Sequence, residues 1–209
     1  MTKKERVLKI KEIFERVYPD ADCTLDYKNP LHLLIATQLA AQCTDARVNT
    51  VTPALFKKYP DAASFAKADV KDVEKLIFST GFYHNKAKNI IACCKEIIEK
   101  HNGEVPSTME ELTLLPGVGR KTANIIIGDI YNRPAIVVDT HCKRLAKRLG
   151  LTKNTDPVKV EFDLIKIVPP EYSFVFCHQL VYHGREYCKS RGPLCDKCPL
   201  NEICPKIMK

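Results

Sequence analysis

Residues 115–123 read Leu115-Pro116-Gly117-Val118-Gly119-Arg120-Lys121-Thr122-Ala123, and this short string decides the reading of the whole chain. Just upstream, Ser107-Thr108-Met109-Glu110 has capping-box spacing, which predicts a helix that stops at Pro116-Gly117. A second helix starts after Gly119 and carries Ile125, Ile126 and Ile127. Two short helices are thus joined by a turn built on two glycines, Gly117 and Gly119. Glycine accepts positive φ and lets another backbone approach closely. The first turn of the second helix offers unpaired N–H groups at the positive end of its dipole. A phosphate fits such a terminus, and Arg120 and Lys121 place cationic side chains beside it. An isolated Gly-x-Gly is an ordinary tight turn between helices; the whole nine-residue string is far more specific.

Outward from this hairpin the apolar spacing stays helical. Residues 3–17 place Val7, Ile10, Ile13, Phe14 and Val17 on one face, and Tyr18-Pro19-Asp20 ends that helix. Asn29-Pro30 opens a second, with Leu31, Leu34, Ile35 and Leu39 as its stripe. Helices are predicted from Ser64 to Phe78 and from Asn85 to Lys100, punctuated by Gly81 and Gly103. Pro134-Ala135-Ile136-Val137-Val138 has strand composition but no partner strand, so it reads as an extended linker. Asp139 caps a basic helix bearing Lys143, Arg144, Lys147 and Arg148. Asp156-Pro157 opens the next helix, with Phe162, Ile165 and Val168 on one face, and a last helix runs from about Tyr172 to Tyr187. Only 8 of 209 residues are glycine, below the usual share of about 7%. The fold class expected is all-α.

Composition narrows the partners. Hydrophobic residues make up 45% of the chain, enough for a substantial core. No apolar run reaches the roughly 18 residues of a membrane span, and MTKKERVLKI is charged where a signal peptide is apolar. A soluble, cytoplasmic protein with no membrane partner is expected, and a monomer, since no exposed heptad pattern stands out. The formal charge of +8, from 33 basic and 25 acidic residues, suits a polyanionic partner.

Ten cysteines fall into two groups. Cys23, Cys43, Cys93, Cys94, Cys142 and Cys177 are scattered through helical, largely apolar surroundings and read as small buried hydrophobes. Without a signal peptide, a secreted disulfide framework is not indicated. Cys188, Cys195, Cys198 and Cys204 instead follow a C-x6-C-x2-C-x5-C spacing. Four thiolates in one loop can hold a metal. Spacing alone allows zinc, although zinc sites usually have two Cys-x-x-Cys knuckles and one is present here.

The 115–123 string resembles the helix-hairpin-helix of the DNA glycosylases related to endonuclease III, a motif that grips DNA backbone without reading sequence. Val137-Val138-Asp139-Thr140-His141 stands where that family has its catalytic aspartate. The resemblance runs along essentially the whole chain. It includes Leu33-Leu34-Ile35-Ala36, Ala41-Gln42-Cys43-Thr44-Asp45, Gly81-Phe82-Tyr83-His84-Asn85-Lys86-Ala87, His101-Asn102-Gly103-Glu104-Val105-Pro106 and the four-cysteine spacing.

The resemblance implies a base-excision-repair enzyme that removes oxidised pyrimidines from damaged double-stranded DNA and then cuts the strand. Lys121 is then the nucleophile and Asp139 the carboxylate that assists it. Gln42 fills the space left by the flipped nucleotide. Phe82 is the wedge, where the best-known members have leucine. Gly117, Gly119, Arg120, Lys189 and Arg191 meet the DNA backbone, as Lys143 and Arg144 can, and Asp45 and His141 line or support the pocket. Cys188, Cys195, Cys198 and Cys204 hold a [4Fe–4S] cluster. Two helical lobes are expected: a six-helix barrel over 23–133 with its hairpin near 108–128, and a cluster lobe joining 1–22 to 134–209, with the DNA-binding cleft between them. A mismatch adenine glycosylase is the nearest rival, and Lys121 argues against it. A non-catalytic hairpin module is the other, and Lys121, Asp139 and Gln42 together argue against that.

Overall fold

The computed structural model describes residues 1–207, and among these there is no strand. The helices are α1 (Lys3–Val17), α2 (Pro30–Leu39), α3 (Asp45–Lys58), α4 (Ala62–Ala66), α5 (Val70–Ile77), α6 (Tyr83–His101), α7 (Met109–Leu114), α8 (Arg120–Asp129), α9 (Thr140–Arg148), α10 (Pro157–Ile165) and α11 (Ser173–Glu186). The chain divides into two compact units. One is Cys23–Asn132; the other combines Met1–Asp22 with the chain from Arg133 onward. No helix among the described residues is long and apolar enough to cross a membrane.

The Cys23–Asn132 unit is built around α2. Every residue from His32 to Leu39 is buried, so this helix has no solvent face and acts as a core rod. It begins where Asn29 accepts a 2.9 Å hydrogen bond from the His32 N–H, with Pro30 at the first helical position. Helices α3, α6 and α8 pack on it, α4 and α5 pack on α6, and α7 packs on α8. Leu33, Leu34, Ile35 and Leu39 of α2, Ile90 and Ile97 of α6, and Ile126 of α8 are all fully or almost fully buried. Each such side chain contributes roughly 1.5–3 kcal/mol by leaving water.

Several local expectations shift. The single helix expected from Ser64 to Phe78 is interrupted, because Asp61 caps α4 and Asp69 caps α5. Helix α3 is an addition; Pro53 lies inside it and removes one N–H donor, while buried Val48, Thr52 and Leu55 hold it in place. The cap before the hairpin is Thr108 rather than Ser107. Thr108 Oγ1 accepts from the Glu111 N–H at 3.2 Å and donates to the Glu111 carboxylate at 2.7 Å.

In the other unit, α9 packs against α10 and α11. Phe14 of α1, Leu145 of α9, Val160 and Leu164 of α10, and Phe176 and Leu180 of α11 share one core. The buried stripe of α10 is therefore the 160/164 face; Phe162 and Ile165, expected inside, are 49% and 51% exposed. Residues 134–138 stay extended without a partner strand because α11 side chains accept their N–H groups. Ala135 donates to Ser173 Oγ at 3.1 Å and Val137 to Cys177 Sγ at 3.2 Å.

The two hairpin glycines have different jobs. Leu115 and Val118 are buried and pin the turn, which closes through a 3.1 Å bond from the Val118 N–H to the Leu115 carbonyl. Gly117 has φ +76°, and a Cβ there would stand 2.8 Å from Gln38 Oε1 and 2.9 Å from Asn89 Cβ. Gly119 caps α8 at φ −97°, an ordinary conformation, and a Cβ there would meet nothing within 4 Å. Gly117→Ala should therefore cost at least ~2 kcal/mol, through left-handed strain and overpacking. Gly119→Ala should cost no more than about 1 kcal/mol. Denaturant midpoints of the two variants check this, and equal losses would contradict it.

Candidate active site and cysteine centre

Helix α8 opens with no side-chain cap, because Gly119 has none to offer. The N–H groups of Lys121 and Thr122 thus have no cap side chain to donate to and can take an external acceptor. Lys121 is the second residue of α8 and is exposed, and among the described residues its amine joins no hydrogen bond or ion pair. Arg120 beside it is half-buried. A primary amine beside an anion-accepting helix end can attack an electrophilic carbon attached to a phosphodiester backbone.

Two other expected residues of this unit stand on strained turns. Gln42, just beyond α2, has φ +55°, and Phe82, the cap residue of α6, has φ +48°. Both side chains are exposed, Phe82 to 63%. A non-glycine residue at positive φ is held there by its surroundings at some cost. Asp45 is the first residue of α3, and its Oδ2 accepts from Thr24 Oγ1 at 2.5 Å. That bond fixes its carboxylate beside the helix N-terminus.

Asp139 lies in the other unit as the cap of α9. Its Oδ1 accepts from the Cys142 N–H at 2.6 Å, which aims the half-buried carboxylate. Two residues on, His141 Nδ1 lies 3.1 Å from Arg144 Nη2. A guanidinium only donates, so Nδ1 accepts and the ring proton sits on Nε2. Burial pushes the His141 imidazole below its usual pKa, the charges of Arg144 and Arg185 add to this, and Asp139 opposes it. The same Arg144 donates to the carbonyls of Gly184, at 3.2 Å, and Cys188, at 2.9 Å. Glycine is required at 184, since a Cβ would lie 2.5 Å from His141 Nδ1.

Arg144 is therefore spent inside the fold rather than free for phosphate, which corrects the expectation placed on it. Arg148 behaves alike. It donates to the carbonyls of Lys189 at 2.7 Å and Ser190 at 3.0 Å, and to Cys188 Sγ at 3.4 Å. The two arginines staple α9 to the loop that presents exposed Lys189 and Arg191. These structural roles were not visible in the sequence, where both arginines read simply as charge on a basic helix.

Cys188, Cys195, Cys198 and Cys204 line one pocket with Leu145, His183 and Leu200 among its walls. All four are half-buried, and none forms a disulfide. Burial pushes the Cys198 thiol up to about 11 and raises that of Cys204. The Lys206 N–H and the Arg148 guanidinium each donate to a sulfur of the set at 3.4 Å. Four cysteine sulfurs around one pocket are the donor complement that an iron–sulfur cluster takes. Among the scattered cysteines, Cys93, Cys94, Cys142 and Cys177 are buried as expected, while Cys23 and Cys43 are only half-buried.

Related proteins match nearly the whole chain. Residues 35–170 match the model of the HhH-GPD superfamily of base excision DNA repair proteins. Endonuclease III of Synechocystis sp. is 52% identical over 206 residues, covering 98% of this chain and 94% of that one. Endonuclease III of Bacillus subtilis is 46% identical over 194 residues, covering 92% and 89%. A solved structure of endonuclease III trapped as a covalent intermediate with DNA superposes with a TM-score of 0.93 at 42% identity, covering 99% of this chain and 97% of that one. With hairpin, capped aspartate and cysteine quartet all in place, the chain belongs to the HhH-GPD superfamily of base excision DNA repair proteins, within its endonuclease III family.

Proposed function

We propose that this chain is a cytoplasmic DNA glycosylase that excises oxidised pyrimidines from damaged duplex and then cuts the strand by β-elimination. The observation that carries the reading is Lys121, an exposed amine in the uncapped first turn of α8, with no partner among the described residues. The uncapped N–H groups of Lys121 and Thr122 take a backbone phosphate and bring the sugar to the amine. Lys121 Nζ attacks C1′, the C1′–N bond breaks, and the base leaves with the bonding electrons and a proton. Ring opening leaves a Schiff base between Nζ and C1′. That cation acidifies the 2′ proton; its loss forms the 2′–3′ double bond, and the C3′–O bond breaks. Asp139 helps to deprotonate Lys121 and stabilises positive charge developing on the sugar. Reaching C1′ requires the nucleotide to leave the stack, which costs less for a damaged base. Phe82 opens the base step and Gln42 fills the vacated space. The sulfurs of Cys188, Cys195, Cys198 and Cys204 hold a [4Fe–4S] cluster, with all four ligand positions supplied by the chain. Its role is structural: it fixes the loop that carries Lys189 and Arg191, which meet the DNA backbone with Gly117, Gly119 and Arg120. Asp45 and His141 support the pocket.

Incubation with a duplex carrying thymine glycol, read as base release and strand nicking, tests this reading. The chain should release the base and nick the lesion strand, and inactivity on every oxidised pyrimidine offered would refute the assignment. Lys121→Ala should abolish nicking while the melting transition stays in place, because Ala suits an exposed helix position. Asp139→Asn should lower turnover roughly 100-fold or more. Its stability should change by no more than about 0.5 kcal/mol, since Asn caps as well as Asp.

Metal analysis checks the cysteine centre independently. Four iron and four sulfide per chain are expected, with a brown colour from thiolate-to-iron charge transfer. One zinc and no sulfide would contradict the cluster.

A further inference from the structure

Lys86 is a lysine where the fold would ordinarily place an apolar residue. It lies in the first turn of α6 and is only 6% exposed. Its Nζ donates to the Leu39 carbonyl and to the Thr80 carbonyl, each at 2.8 Å. Neither acceptor is a carboxylate, so the removal of the amine from water is offset only by two neutral carbonyls and by the nearby Cys43. Burial accordingly pushes the Lys86 ammonium below its ordinary pKa. The two carbonyls can accept from an ammonium or from a neutral amine, so the bonds survive either way.

What those carbonyls terminate is the informative part. Leu39 is the last residue of α2, and Gln42 follows three positions later. Thr80 closes the short 3-10 turn Phe78–Thr80, and Phe82 follows two positions later. The Lys86 main-chain N–H also donates to the Phe82 carbonyl at 3.1 Å. One residue therefore ties the root of both strained turns, at φ +55° and +48°, to the start of one long helix. Strained turns persist only where their surroundings over-determine them.

We propose that Lys86 is a positioning residue that holds the Gln42 and Phe82 turns in one frame, so that both side chains enter a damaged duplex together. The proposal rests on the reading of Gln42 and Phe82 as the residues that open the duplex. Lys86 touches neither base nor sugar. Without its two bonds the α2 end and the Phe82 turn lose their common anchor, and the two side chains no longer arrive in register.

The test separates opening the duplex from chemistry at C1′. Single-turnover base release from a thymine glycol duplex is compared with strand cleavage at an abasic site in a single-stranded oligonucleotide, where there is no opposite base and no stack to open. Lys86→Met, which keeps the stem but removes the donors, should slow duplex base release roughly 10- to 100-fold. Cleavage of the single strand should stay within about twofold, since the chemistry at C1′ still has its geometry. Lys86→Gln keeps two N–H donors on a shorter stem and should recover part of the loss. It also carries the comparison if Lys86→Met does not fold. Equal losses on both substrates would make Lys86 mere scaffold and overturn the proposal, as would unchanged duplex activity. Gln42→Ala and Phe82→Ala run alongside. If those two leave duplex release intact, the duplex-opening reading itself fails. If they impair it and Lys86→Met does not, only the role of Lys86 fails. Lys86→Met should add little to the double variant Gln42→Ala/Phe82→Ala, and a full additional loss would count against the shared frame.

Discussion

The hairpin of this protein works because no side chain fits at residue 117. A Cβ at Gly117 would run into Gln38 of α2 and Asn89 of α6, and the backbone there takes a conformation that glycine adopts without strain. That close fit fixes where the turn runs, and buried Leu115 and Val118 hold it from both sides. The start of α8 follows from the turn, and Lys121 follows from the start of α8. An exposed amine is thus presented by close packing of the turn that precedes it.

A hydrogen bond at or near the root fixes each of the other positions proposed for the site. Asp139 gives one oxygen to the Cys142 N–H and is aimed by that bond. Gln42 and Phe82 leave their side chains in solvent, while the backbone at their roots is bonded to buried Lys86. The loop with Lys189 and Arg191 has its carbonyls held by Arg148. In the last two cases the anchor is a main-chain carbonyl, which leaves the side chains exposed and spends Lys86 and Arg148 inside the fold. The formal charge of +8 therefore overstates what is offered to phosphate.

Much of this was legible in the sequence wherever the signal is local. The Gly117-x-Gly119 string, the cap at Asp139, the Asn29-Pro30 start of α2 and the cysteine spacing each announce their element within a few residues. Boundaries were less legible where two caps compete. Ser107 and Thr108 both suit the position, and only the geometry selects Thr108. The break between α4 and α5 depends on Asp69 acting as a cap inside a stretch whose apolar spacing continues across it. Long-range partners were not legible at all. Arg144 and Arg148 find carbonyls about 40 residues away, Lys86 reaches one 47 residues away, and charge on a helix face carries no sign of that in its spacing.

The central claim is that the hairpin delivers one particular amine to C1′. Borohydride added during turnover on a lesion duplex reduces a Schiff base to a stable amine link, and peptide sequencing of the trapped complex locates it. The account predicts a single cross-link at Lys121 and none in Lys121→Ala. A cross-link at any other lysine, or normal trapping in Lys121→Ala, would contradict it.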